Sequence, residues 1–334
     1  MAKAKLTPAM EQYMHFKRMH PDAILFFRMG DFYEMFFDDA KIASKLLGLT
    51  LTARNHGKSS GNIPLAGLPY HSIDSYLAKL IKNGKKVAIC EQVEDPRNSK
   101  GIVKRDVVEV VSPGTALADS LLEEFRNNFL LGVIWRSDKV GLAQIDISTG
   151  DFVLDDIDAN DLNDELRSID PSELLISDRI DAVERENLMK ILPKASLSSI
   201  DDWNFSYDTA RSLLLEQFQT NSLKGFGCDD LMLGVCAGGA VIAYLRENQK
   251  GAVEHINRVE RRYRGDHAFI DAIAKRNLEL VENQQDGGHQ GSLLDALNET
   301  CTSMGARLLR KWLTKPLKKP HLINQRLDVV EELI

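Results

Sequence analysis

Ala23-Ile-Leu-Phe-Phe-Arg-Met-Gly-Asp-Phe-Tyr-Glu-Met-Phe-Phe37 decides how the front of this chain folds. Ala23 to Arg28 is a short apolar run rich in strand formers, and Gly30 ends it. Beyond it Phe36, Phe37, Ala40, Ala43, Leu46 and Leu47 recur at helical spacing up to Gly48. The spacing predicts a strand, a tight junction and a helix in quick succession. Upstream, Thr7-Pro8 starts a helix that His20-Pro21 stops. Downstream, a helix runs from Ser72 to Asn83-Gly84, and Val87 to Val93 and Asp106 to Val111 read as strands. Residues 1–112 thus form a mixed α/β domain, with Ser112-Pro113-Gly114 as the seam after it.

Leu130 to Trp135, Gly141 to Ile147 and Asp151 to Leu154 are apolar runs parted by polar turns, which predicts a strand meander. An acidic helix from about Asp158 to Ser168, a strand at Glu173 to Ser177 and a helix from about Asp181 to Leu192 follow. Residues 113–252 therefore read as a second α/β unit. From Asp208 the pattern is nearly all helical: Ala210 to Phe218, Leu231 to Leu245, His267 to Glu282 and Leu293 to Leu313. Residues 253–334 read as the start of an all-helical unit. Its last apolar stripe, Ile323, Leu327, Val330, Leu333 and Ile334, has no C-cap after it and reads as a chain cut in mid-helix.

With 334 residues, 43% hydrophobic and 27% charged, the composition is that of ordinary globular proteins and excludes collagen, coiled coil and bulk disorder. The apolar run Leu231 to Leu245 is shorter than the roughly 20 residues that span a bilayer and carries Gly238 and Gly239, so a buried helix is expected. Met1 to Met10 has no apolar signal region, which makes the cytoplasm the default compartment. Cys90, Cys228, Cys236 and Cys301 lack metal-ligand spacing and are expected to be buried thiols. The net charge of −7 argues against a uniformly basic nucleic-acid binder, but it is unevenly spread. Residues 1–112 hold 17 Lys and Arg against 12 Asp and Glu; 113–252 hold 12 against 25; 253–334 hold 13 against 12. A basic front beside an acidic middle suits a chain whose first domain alone faces an anionic polymer.

Three constellations compete for the chemistry. Gly57-Lys58-Ser59 resembles the tail of a phosphate-binding loop, but the glycine required five residues earlier is Thr52, so a turn is the better reading. Asp146, on a strand, could serve a metal-dependent nuclease with other carboxylates, yet Asp151, Asp155 and Asp156 lie in turn-like positions where solvated acids are common. Gly30 to Phe37 packs four aromatics into eight residues. If the chain is extended there, Phe32 and Glu34 share one face and Tyr33 takes the other. A ring and a carboxylate would then point at one object: an apolar wedge can enter between bases from the minor groove while an acid reads a base edge. The bland alternative makes Phe32 core. A carboxylate beside phosphates also needs a reason, such as a base contact that favours its protonated form.

Leu25-Phe-Phe-Arg-Met-Gly-Asp-Phe-Tyr-Glu34 with Phe36 resembles the mismatch-recognition segment of the bacterial MutS family. Pro64 to His71, Tyr76 to Leu80, Val87 to Val93 and Val111 to Thr115 are similar to that family's first-domain blocks, and Asp146 to Gly150, Gly225 to Gly227, Arg276 to Glu279 and Arg310 to Leu317 resemble its later ones. The resemblance implies a mismatch-recognition domain at 1–112, an RNase H-like connector without nuclease function at 113–252, and the start of a helical core at 253–334. It makes Phe32 the wedge that stacks on the mispaired base and Glu34 the residue that hydrogen-bonds it. Backbone grip is expected from Arg54, Lys58, Lys104 and Arg105, chosen on charge and location. The implied partners are double-stranded DNA with mismatches or small loops, a second subunit and a MutL-type repair protein. ATP and Mg are expected only with the family's ATPase part, so no cofactor, catalytic residue or metal ligand is assigned within these residues. A middle-domain nuclease and a protein-interaction scaffold are the rivals.

Overall fold

The computed structural model describes residues 7–55, 62–94, 103–116, 127–249, 253–263, 265–268 and 270–334. The first unit comprises α1 (Pro8–Met19), β1 (Ala23–Met29), β2 (Phe32–Phe36), α2 (Phe37–Leu47), β3 (Thr52–Asn55), β4 (Asn62–Pro69), α3 (Ile73–Lys82), β5 (Lys86–Gln92) and β6 (Arg105–Val111). Its six strands form one sheet in the order β3-β4-β2-β1-β5-β6, parallel only between β1 and β5. The predicted strand-to-helix passage is really a hairpin, because β2 intervenes. Gly30 at φ +60° and Asp31 form a two-residue connection, and glycine at the first central position is what a type II′ hairpin turn requires.

Alternation along the strands builds two cores. Ile24, Phe26, Tyr33, Met35, Leu68 and Val87 pack under α2 and α3 on one face. Leu25, Phe27, Phe36, Ala88 and Val110 meet Met10, Tyr13 and Phe16 of α1 on the other. Buried Asp39, in the first turn of α2, ties that second face together. It accepts from Tyr13 Oη at 3.0 Å, Lys17 Nζ at 2.8 Å and the Leu25 amide at 3.1 Å. Its negative charge also sits where the α2 dipole favours it.

The second unit contains β7 (Phe129–Arg136), β8 (Lys139–Asp146), β9 (Asp151–Asp158), α4 (Leu162–Ile169), β10 (Glu173–Ser177), α5 (Ala182–Ile191), β11 (Ser196–Ile200), α6 (Tyr207–Gln217), α7 (Met232–Asn248) and β12 (Glu260–Arg261). The sheet order is β11-β10-β7-β8-β9-β12, with the expected antiparallel meander β7-β8-β9 at its centre. Helix α7 is the long apolar run, buried over most of its length; among the described residues no helix is long and apolar enough to cross a membrane. Val253, Ile256 and Val259 pack into this core as well.

The remaining elements are α8 (Ala272–Asn277), α9 (Leu293–Leu297), α10 (Ser303–Thr314) and α11 (Pro320–Leu333). Two expected helices are cut down. Asp271 caps α8 by accepting from the Ala274 amide, which starts the helix late, and Thr302 caps α10 on the Gly305 amide, which separates it from α9. Cys301 lies in that break and is exposed, unlike buried Cys90, Cys228 and Cys236, so the expectation of four buried thiols fails at one.

Ser112-Pro113-Gly114 joins the units through a buried carboxylate. Glu173, fully buried on β10, accepts from the Ser112 hydroxyl, the Gly114 amide at 2.9 Å, Ser198 Oγ at 2.5 Å and Tyr244 Oη at 2.6 Å. Burial, then the Glu173 charge, push the Tyr244 phenol well above its ordinary range, which keeps it a donor.

Candidate nucleic-acid interface

Register puts Phe32 opposite Met29 and Pro69, and Glu34 opposite Phe27 and Gly67. Period-two alternation therefore sets Phe32 and Glu34 on the same face, with buried Tyr33 on the other. Phe32 is 49% exposed, whereas Phe26, Phe27 and Phe36 are buried. The ring is not core: it stands in solvent at the tip of a short, braced hairpin. Phe36, two residues beyond Glu34 on that face, disappears under Tyr13, with ring centroids 4.9 Å apart.

Gly67 lies between the two side chains. A Cβ built there would meet the Tyr33 carbonyl oxygen at 3.6 Å, Glu34 Cγ at 3.9 Å and Phe32 Cδ1 at 4.0 Å, so the glycine leaves a gap beside the ring and the Glu34 stem. This residue was missed as a site residue because β4 itself was not recognised. The only signal was its place inside the block Pro64 to His71.

The hairpin tip is braced from behind. Arg28 stacks on the Tyr70 ring at 3.8 Å and lies 3.6 Å from Glu91, which also accepts from the Tyr33 hydroxyl. Burial, then Glu91, push the Tyr33 phenol upward. The Tyr70 amide donates to the Asp31 carbonyl at 3.0 Å, so the residue that follows β4 holds the turn directly.

Of the four basic residues expected at the backbone, Lys104 is exposed. Arg105 is only 8% exposed and its guanidinium is turned inward, donating to the Arg28 carbonyl at 2.8 Å, the Val103 carbonyl at 3.0 Å and Gln12 Oε1 at 3.2 Å, with its cation 4.8 Å from the Phe27 ring. Burial pushes its pKa down while Cys90 and Glu34 push back, so the Arg105 charge is felt by the half-buried Glu34 carboxylate. Arg105 thus ties β6 and α1 to the hairpin. The Arg54 backbone belongs to β3 opposite Ile63, six positions before the Pro69 that faces Phe32. At about 3.3 Å per residue that is roughly 20 Å along the strands. Lys58 lies outside the described residues.

Asp146 is occupied differently from a metal ligand. Fully buried at the end of β8, it accepts from Asn127 Nδ2 at 2.9 Å, Ser148 N at 3.0 Å and Ser148 Oγ at 2.6 Å, closing the β8–β9 turn. Asp156 likewise caps α7 through the amides of Met232 and Gly234. Among the described residues no group of three His, Cys, Asp or Glu side chains is gathered for a metal ion.

Models of three consecutive domains match the chain: MutS domain I over residues 7–120, MutS domain II over 128–257 and MutS domain III over 274–334. The chain belongs to the MutS family. A DNA mismatch repair protein MutS from Salinibacter ruber is 46% identical over 333 residues, covering 98% of this chain and 36% of the relative. Its counterpart from Halothermothrix orenii is 44% identical over 338 residues, covering 99% and 37%, and that from Symbiobacterium thermophilum 42% over 338, covering 100% and 39%. The chain therefore spans under two fifths of the length of these MutS relatives. The exposed hairpin falls within the part matched by MutS domain I.

Proposed function

We propose that this chain is the lesion-reading front of a MutS-type DNA mismatch repair protein acting in the cytoplasm on duplex DNA with mispaired or unpaired bases. Phe32 is the wedge and Glu34 the reader of the displaced base. The observation that carries this is a large ring half exposed at a rigid tip, one register step from a carboxylate and across an open gap from it. A mismatch weakens stacking, so kinking the duplex there costs less than at a matched site, and a protein that bends DNA reads the difference as energy. Stacking on an aromatic tolerates any base, as a reader of many lesions needs. Arg105 behind Glu34 offsets the repulsion between that carboxylate and the phosphates. Lys104 is the best placed of the basic residues for backbone grip.

The first sheet unit, about 1–112, would be the mismatch-recognition domain. In the middle unit the order β9-β8-β7-β10-β11, with the first three antiparallel and the rest parallel, supports an RNase H-like connector, and Asp146 and Asp156 serve its turns and helix ends instead of a nuclease. The helices that follow would open the core. A second subunit, a MutL-type partner, and ATP with Mg belong to this reading through the family.

The test is low-salt competition between a duplex with one unpaired thymine and its matched counterpart. Phe32→Ala is expected to cut the preference for the lesion by about 1 to 3 kcal/mol, a factor of roughly 5 to 150, while matched-duplex binding and its salt slope stay put. Equal losses on both duplexes would make Phe32 a structural residue and sink the proposal. Gly67→Val offers a second check. Valine suits a strand and its methyls enter the gap, so thermal stability should hold to within about 1 kcal/mol while lesion preference falls. Undiminished preference would show that nothing is read between Phe32 and Glu34.

A further inference from the structure

Arg276 and the stretch Arg310, Lys311, Thr314 and Lys315, from two blocks that carried the resemblance, converge on one place. With β9, α4 and the segment around β12 they line a cavity of about 880 Å³ between the middle sheet and the helical region. That volume is within the range of small-molecule sites, about 300 to 1,000 Å³. The wall is held in place by backbone pairing: the Ala268 amide donates to the Pro316 carbonyl at 2.8 Å and the Lys318 amide to the Asp266 carbonyl at 2.9 Å.

Eight Lys and Arg line this cavity against six Asp and Glu, and the acids are largely spent. Glu165 is bonded to Arg262 at 2.8 Å, Asp151 to Lys311 at 2.8 Å, and Asp266 pairs with Lys319. Lys275 and Lys315 have no carboxylate within ion-pair distance among the described residues. Both sit in partly dehydrated positions: Lys275 feels Arg310 against the weaker pull of Glu165 and Asp271, and Lys315 feels Lys275 among other cations. Burial, then the charges of Arg262, Lys275 and Lys311 against the single opposing pull of Glu165, press the Lys315 ammonium down to about 7. Placing like charges together with no carboxylate in direct contact costs stability unless a ligand repays it.

We propose that this cavity is a binding site for a small phosphate-bearing anion, held between the Lys275 and Lys315 ammonium groups. Charge-assisted hydrogen bonds from two lysines and the flanking Arg310 suit phosphoryl oxygens, and a multiply charged anion neutralises both lysines at once. The site is independent of the proposed DNA-reading face, which lies in the other sheet.

The experiment is calorimetric titration of the 334-residue chain with inorganic pyrophosphate at low ionic strength. Beside it run Lys315→Met and Lys275→Met, which keep an apolar stem and relieve repulsion, so both should fold with melting temperatures no lower than the parent. The expected result is saturable binding of one pyrophosphate, weakened at least tenfold in each variant, with lesion-duplex binding unchanged. Adenosine, which carries no phosphate, should not bind. Absence of saturable pyrophosphate binding, parental affinity retained in either variant, or adenosine binding as well as pyrophosphate would each overturn the proposal.

Discussion

Glu173→Ala is expected to lower the unfolding free energy of this chain by about 4 kcal/mol, the largest effect of any single truncation considered. Four donors lose their acceptor at once: the hydroxyls of Ser112, Ser198 and Tyr244, and the Gly114 amide. Each buried donor left unsatisfied costs about 1 to 3 kcal/mol. The hydroxyls recover part of this by rotating towards other acceptors, as Ser112 can towards Thr115 Oγ1 at 2.9 Å, but the amide cannot turn. Tyr244→Phe removes one donor and leaves the carboxylate three partners, so it should cost only about 1 kcal/mol. Urea unfolding followed by tryptophan fluorescence measures both. Similar losses for the two variants would mean that Glu173 does not organise the seam.

The second large effect is overpacking between α6 and α7. A Cβ added at Gly239 would lie 2.2 Å from Ala210 Cα and 2.6 Å from its carbonyl oxygen, both backbone atoms that no rotamer change can move. Gly239→Ala should therefore cost about 3 kcal/mol despite alanine's better helix propensity, because the helices must be forced apart. Gly225→Ala is the control: nothing lies within 4 Å of its added methyl. Thermal melts of the two variants should differ clearly. Coincident melts would refute the close approach.

How much of this was legible follows from what each residue reveals locally. The meander β7-β8-β9 and helix α7 were readable because apolar runs with turn residues between them leave few alternatives. Strand β2 was not, because a two-residue turn looks like a strand end and the helical spacing from Phe36 onward masks the extended residues before it. Strands β3 and β4 hid behind Pro64, Gly67 and Pro69, residues that usually mark loops, and β11 behind the polar run Ser196 to Ser199. At the candidate site, Phe32 and Glu34 on one face followed from alternation alone. Arg105 did not: a charge count treats every arginine as facing water, and the carbonyls of Arg28 and Val103 that hold this one inside come from distant or irregular backbone.

The two-residue turn at Gly30-Asp31 has a mechanical meaning. A connection this short, pinned by the Tyr70 amide and backed by Arg28 and Arg105, has almost no slack, so on the proposed reading Phe32 is a stiff probe of fixed height. When a stiff body presses on a compliant one, the compliant one deforms. On the proposed reading, the strain of contact is taken up by the duplex, and selectivity is set by how far each DNA site yields under the same probe. On the same reading, lengthening the turn would soften the probe and blur that distinction with Phe32 and Glu34 both left in place.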